Sequence, residues 1–318
     1  MSHTETRNPL DPKRGRAAAS LGWLASAAFL FVVTGSGLAE ARGQQVLRWK
    51  FQSGDVLKYT TEQSTVMTVK IMGRERKQKR AISTTYSWST KALGENGDAD
   101  ITQKIERLTM KIEAPPYLPM EFDSNSPNNS VPEPFEPVVK QLKAAVGAEF
   151  SFQMKPTGEI YDIKIAEATL KKLREGLEQG DRDTFSEQAL KDQVSQTSPP
   201  PFPKDPVEPG KTWSAAPNRV PTPTGTLVLD RSFTFQGPDS KNPNLMFITM
   251  NGRVTLEPAP NLTAKIRAQE GKGSVTFDAQ AGRLVSSKGT QKTEMVIADD
   301  GQERDEITET NSTMTLVP

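Results

Sequence analysis

From Val56 onward the sequence changes side at nearly every residue. A chain that alternates in this way can bury only one face of an extended strand. Val56, Lys58 and Thr60 fall on one side and Leu57, Tyr59 and Thr61 on the other; Val66, Thr68 and Lys70 then oppose Met67, Val69 and Ile71. Many of these residues are β-branched, which suits a pleated surface. Similar stretches recur at 81–93, 101–112, 150–154, 226–235, 246–256, 262–268, 275–277, 284–297 and 306–317. Turn signals separate them, among them Gly94-Glu95-Asn96-Gly97, Pro156-Thr157-Gly158, Gln236-Gly237-Pro238 and Ala281-Gly282. The pattern predicts a mainly β protein, a meander of long antiparallel strands. Abundant serine and threonine suit sheets with one wet face.

Two stretches of this meander look alike. Gly54-Asp55-Val56-Leu57-Lys58-Tyr59 opens the first much as Gly210-Lys211-Thr212-Trp213 opens the second, and Ile101 to Ile105 resembles Leu262 to Ile266. Gly54 and Ile101 are 47 positions apart, against 52 for Gly210 and Leu262. The next interval is 57 positions to Gly158 in the first copy and 20 to Gly282 in the second, so the first carries an insertion. That surplus fits 114–147, proline-rich to Pro137 and then briefly helical. The expected organisation is a leader at 1–41, a first β-rich unit at 42–164, a helical hairpin and proline-rich linker at 165–206, and a second β-rich unit at 207–318. The two units would be related curved antiparallel sheets or half-barrels, joined by the short helical segment and preceded by an N-terminal signal helix.

The helical expectation rests on Leu170, Leu173 and Leu177 at helical spacing, and on Asp183 as cap of a second helix bearing Phe185, Ala189, Leu190 and Val194. Ser198-Pro199-Pro200-Pro201-Phe202-Pro203 then stops it as a stiff linker. Such a hairpin must bury its apolar stripe, either by covering an open sheet face or by lidding a cavity.

At the other end of the chain, Lys13, Arg14 and Arg16 precede an apolar run from Leu21 to Val33 and small residues ending Ala39-Glu40-Ala41, the order of a secretory signal. An uncleaved anchor is the alternative, since a span needs about 20 apolar residues and 17–39 approaches that length if milder residues count. Both readings put the bulk of the chain outside the cytoplasmic membrane: in the periplasm, cell envelope or medium after cleavage, or anchored by a single pass. Membrane contact would then come only through the leader, if uncleaved. Setting aside Arg7, Lys13, Arg14 and Arg16 from the 40 basic residues, and Glu5, Asp11 and Glu40 from the 39 acidic ones, leaves 36 of each. That balance gives no electrostatic footprint for nucleic acid. The one basic run, Arg74 to Arg80, reads as a solvated hairpin tip or an edge-strand guard, with an anionic-surface contact as the alternative.

The chemistry is narrowed by absence. The chain has no cysteine, and its one histidine, His3, lies ahead of the apolar run. The mature chain thus lacks the commonest general base, the commonest transition-metal ligand and the thiolate nucleophile. It also lacks S-x-x-K, G-x-S-x-G and both nucleotide-binding glycine motifs. No catalytic residue, metal site or cofactor is therefore assigned. Asp98 with Asp100, and Asp299 with Asp300, pair carboxylates of the kind a calcium site or glycosidase uses, but both lie in evident turns.

Aromatic residues carry what ligand expectation there is. Trp49, Phe51, Tyr59, Tyr86, Trp88, Phe150, Phe152, Trp213, Phe233, Phe235 and Phe247 fall on strand-like stretches, as core or as the lining of an apolar trough. Tyr59, Trp88, Phe152 and Phe235 are the candidate ligand-binding residues.

The G-D-x-L-x-Y opening at Gly54 to Tyr59, the F-x-M-x-x-x-G-E-I segment at Phe152 to Ile160 and the P-G-x-x-W start at Pro209 to Trp213 together resemble a group of exported bacterial β-rich proteins classed as a domain of unknown function. That resemblance implies no activity. At the level of fold, the chain more faintly resembles the half-barrel of bacterial lipoprotein carriers, where a curved antiparallel sheet is closed by helices. The functional expectation is a non-enzymatic envelope protein that binds an apolar molecule or another envelope component. The alternatives are a structural or interaction module without ligand, and a carboxylate-based hydrolase of envelope polysaccharide. Oligomeric state is not legible.

Overall fold

Alternation does produce strands, and they are long. The computed structural model describes residues 44–318 apart from 176–185, 197, 198, 200, 223, 261, 300 and 301. The leader at 1–41, Leu177, Asp183, Phe185 and Asp300 lie outside the described residues. In chain order the elements are β1 (Val56–Ile71), β2 (Arg74–Leu93), β3 (Ala99–Glu113), β4 (Met120–Asp123), α1 (Glu136–Ala145), β5 (Glu149–Met154), β6 (Ile160–Ile165), α2 (Glu167–Arg174), α3 (Glu187–Gln196), β7 (Thr212–Ser214), β8 (Asn218–Thr222), β9 (Gly225–Pro238), β10 (Leu245–Pro258), β11 (Thr263–Asp278), β12 (Arg283–Asp299) and β13 (Gln302–Val317).

All these strands belong to one large antiparallel, unclosed, curved sheet, in the order β6-β5-β3-β2-β1-β13-β12-β11-β10-β9-β7, with β4 also on β3 and β8 also on β9. The mainly β expectation holds, and the two halves of the chain are continuous through one seam. There the first and last strands pair along their length, from Lys58 opposite Val317 to Ile71 opposite Arg304.

Register fixes which residues share the buried face. Tyr59 stands opposite Tyr86 on β2 and Leu316 on β13. Counting in twos from these pairs places Ile82, Trp88, Ile101, Phe152, Phe277, Ile248, Phe233 and Phe235 on the same face, and all of them belong to one core cluster. The opposite face carries exposed ion pairs such as Lys58 with Glu106 and Lys111 with Glu121, each of small worth in water.

The helices close one end of the buried face. Val138, Val139, Leu142 and Ala145 of α1, Leu173 of α2, and Leu190 and Val194 of α3 all enter the core cluster. Helices do form at 167–174 and 187–196; the first packs on α1 and the second on β6. Arg74 to Arg80 begins β2 directly after the Met72-Gly73 turn, at the tip of the β1–β2 hairpin, with Ile71 opposite Arg74 and residues 74–77 exposed. One local expectation changes. Trp49 and Phe51 are not on a strand: residues 46–53 run irregularly along the closed end, with Trp49 N–H donating to Pro156 O and Lys50 N–H to Gly282 O.

The linker is not free either. Phe202 is buried against Phe277 at 4.7 Å between ring centroids, and its N–H donates to Thr157 O.

The two look-alike openings share their local geometry. Gly54 and Gly210 have φ of 89° and 90°, where a side chain is disfavoured. Gly54 N–H donates to Thr90 O while Thr90 N–H donates to Asp55 O; Gly210 N–H donates to Phe235 O while Phe235 N–H donates to Lys211 O.

Candidate functional site

The candidate aromatic residues lie on four strands, and register brings three of them into direct contact. Tyr59 on β1 and Trp88 on β2 meet edge to face at 5.2 Å, and Trp88 meets Phe152 on β5 at 5.8 Å. Trp49, from the irregular N-terminal segment, packs on Trp88 at 6.0 Å and on Phe277 at 5.6 Å. Phe235 lies in the same core cluster but across the sheet on β9, facing Ile248. All four candidates are between 0% and 3% exposed. Each such ring contributes roughly 2–3 kcal/mol through burial, so this end of the face is packed core.

Polar tips in this zone are mostly satisfied. Trp88 Nε1–H donates to Gln103 Oε1 at 2.8 Å, Tyr59 OH donates to Leu284 O at 3.3 Å, and Trp213 Nε1–H donates to Pro201 O at 2.8 Å. Burial pushes the Tyr59 and Tyr86 hydroxyls well above the usual phenol range, so both stay neutral.

Further along the strands the same face turns polar. A transverse row runs through Ile112, Arg80, Thr65, Thr310, Gln291 and Gly271, each opposite the next in the ladder. Gly252 O approaches Gly271, and Gly252 itself faces Arg231 on β9. Thr65 Oγ1 and Thr310 Oγ1 share a hydrogen bond at 3.2 Å, and Gln63 Nε2–H donates to Thr65 Oγ1 at 3.1 Å. The neighbouring Ser312 Oγ is buried and has no hydrogen-bond partner among the described residues.

Two arginines lie in this row. Burial lowers Arg80 to about 10, an unusual value for a guanidinium. Arg231 is 8% exposed and is likewise lowered by burial; its Nε–H has no acceptor among the described residues.

Beyond the row the buried residues of this face are again aliphatic. Val69, Val254, Met295 and Ile297 are buried, yet stand outside the main core cluster. Glu306 sits among them, between Val69 on β1 and Met295 on β12, and burial raises its carboxyl above the usual range although Arg304 pulls it down. The buried face is thus banded: aromatic core under the helices, a polar row with buried cations, then aliphatic residues.

The described carboxylate pair, Asp98 with Asp100, is drawn into other roles. Asp98 accepts a hydrogen bond from Tyr161 OH at 2.6 Å, which raises the Tyr161 hydroxyl to about 12, while Asp100 is on β3 facing away from the core. Among the described residues no three acidic, histidine or cysteine side chains group together as a metal cage, and no helix is long and apolar enough to cross a membrane.

Sequence reasoning missed Arg231, although the signal is there. In Leu227, Leu229, Arg231, Phe233 and Phe235 the inward-facing series of β9 is apolar except at one position.

Fold and face together define a mainly β protein whose single unclosed sheet curves around a banded interior. The chain belongs to the family of unknown function DUF6263, whose model matches residues 96–300. Two of the three motifs behind the sequence resemblance, at 152–160 and 209–213, lie inside that match. No curated protein matches the chain. Among solved structures it is similar to lipovitellin, in a structure of lipid–protein interactions, at 11% identity and a TM-score of 0.47 over 85% of this chain. The chain spans only 26% of that lipovitellin chain. It is also similar to DynF from the dynemicin biosynthesis pathway of Micromonospora chersina, at 11% identity and a TM-score of 0.21, over 92% of this chain and 97% of that one. A putative outer membrane lipoprotein-sorting protein domain from Vibrio parahaemolyticus is similar at 9% identity and a TM-score of 0.14, over 81% of this chain and 85% of that one.

Proposed function

We propose that this chain is a non-enzymatic exported envelope protein that holds an apolar molecule on the inner face of its curved sheet, beyond the packed aromatic end. One observation carries the reading. Val69, Val254, Met295 and Ile297 are buried aliphatic residues of the inner face that lie outside the main core cluster, whereas the buried side chains of the three described helices belong to that core. Aliphatic residues outside that core suit an acyl or similar chain. Export rests on the basic, apolar and small-residue order of the leader. The aromatic candidates support a different role, since Tyr59, Trp88 and Phe152 pack on one another as a structural module would. The binding reading therefore moves from the aromatic end to the aliphatic end.

The test is native mass spectrometry of protein taken from the envelope fraction, followed by organic extraction. A co-purifying lipid or other apolar molecule is expected, and a clean unliganded mass in every preparation refutes binding. N-terminal sequencing of the same sample reads the leader: an intact Met1 or Ser2 refutes cleavage.

A further inference from the structure

Arg231 is hard to explain as structure. Its neighbours in the inward series of β9 are Leu229 and Phe233, and its partner on β10 is Gly252, which has no side chain to offer. The residue is 8% exposed, and its Nε–H has no acceptor among the described residues. A guanidinium held in that state costs free energy that any acceptor of opposite charge would recover. The folded protein leaves that acceptor position to something else.

What surrounds the position states what would fit. Arg80 is the other arginine of this transverse row, but it stands six strands away on β2, so Arg231 is the cation at this end of the row. Thr65, Thr310 and Gln291 lie along the row between them, and Ser312 Oγ, beside Thr310 on β13, has no hydrogen-bond partner among the described residues. The glycines at 252 and 271 keep the floor beside Arg231 low: a Cβ on Gly271 would stand 2.9 Å from Gly252 O and overlap the Gln291 amide. The acidic side chain on the same face, Glu306, is four residues along β13 from Thr310, roughly 13 Å away. Aliphatic residues begin immediately beyond the row, with Val254 opposite Leu229.

We propose that Arg231 receives the anionic headgroup, a carboxylate or phosphate monoester, of an amphiphile whose chain lies along the aliphatic residues beyond. This rests on the reading that the face holds an apolar molecule, and adds its head. Arginine suits both acids because its planar fork presents paired donors to two oxygens at once. The lowered pKa of the buried guanidinium agrees with a cation awaiting its counter-ion.

The test is displacement of the neutral fluorophore phenylnaphthylamine from the delipidated mature chain by palmitate, hexadecyl phosphate and hexadecanol, which share one chain and differ in head. The wild-type protein is expected to favour at least one anion over the alcohol by about ten- to hundredfold, the range for a charge-assisted pair. In Arg231→Met that ratio is expected to fall toward one, and in Arg231→Lys to lie between. The tighter of the two anions assigns the headgroup. Equal displacement by all three in the wild type overturns the headgroup assignment and leaves apolar binding standing. Failure of all three to displace overturns both. An anion preference that survives Arg231→Met overturns the role of this residue, and should that variant not fold, the wild-type ratio and Arg231→Lys decide.

Discussion

Replacing Arg231 by methionine should make the ligand-free protein more stable, which is unusual for a buried residue. The residue is 8% exposed, and its Nε–H has no acceptor among the residues described. The desolvation penalty of a buried ion remains several kcal/mol after local relaxation, and here no Coulombic partner offsets it. Methionine follows much of the same stem, so the apolar contacts of the side chain with Leu229, Phe233 and their neighbours largely persist. Replacing buried ionic groups by apolar ones of similar volume typically gains 1–4 kcal/mol, and about 1–3 kcal/mol is expected here because arginine can partly reach water. The assay is equilibrium unfolding of delipidated wild type and Arg231→Met in urea, followed by tryptophan fluorescence, with equal slopes required so that the midpoints compare stability alone. A variant less stable than wild type by 1 kcal/mol or more refutes the reasoning, because the guanidinium must then have a partner in the folded state. Palmitate added to both proteins should raise the wild-type midpoint more than that of the variant.

Three further outcomes follow from the same structure. Trp88→Ala removes a ring in contact with Tyr59, Phe152 and Trp49 and strands the Gln103 carbonyl, so it should cost about 3–5 kcal/mol by urea unfolding; a cost below 1 kcal/mol would mean the ring lines open space. Gly54→Ala and Gly210→Ala should each lose about 1–2 kcal/mol from backbone strain alone, since nothing lies within 4 Å of the added methyl at either site; two neutral variants would show that these turns relax. The raised carboxyl pKa of Glu306 means that the folded state holds this proton more tightly than the unfolded chain, where the pKa is about 4.3. Its contribution is therefore full below about pH 4 and is lost as pH rises through the folded value, so Glu306→Gln should gain on wild type over that window and hold the gain above it; a difference that does not change with pH refutes the assignment.

The period of two at Val56 to Ile71, the turn glycines and the inward pairs Tyr86 with Trp88 and Phe233 with Phe235 determined the strands, their long antiparallel character and the make-up of the core. These are local properties, because alternation and φ > 0 turns act within a few residues. Arg231 was equally legible as the odd member of an apolar series, but its meaning was not, because a charge in a strand is costly only if that face is covered. The tertiary structure alone decided that β1 and β13 pair, which joins residues some 250 positions apart into one sheet and places Arg80 and Arg231 on one row. It alone decided that Tyr59, Trp88 and Phe152 close on one another while Val69, Val254, Met295 and Ile297 stand apart. The physical reason is that strand pairing is set by backbone hydrogen bonds, which any residue but proline donates, so the partner of a strand is written in the whole fold and not in its own side chains.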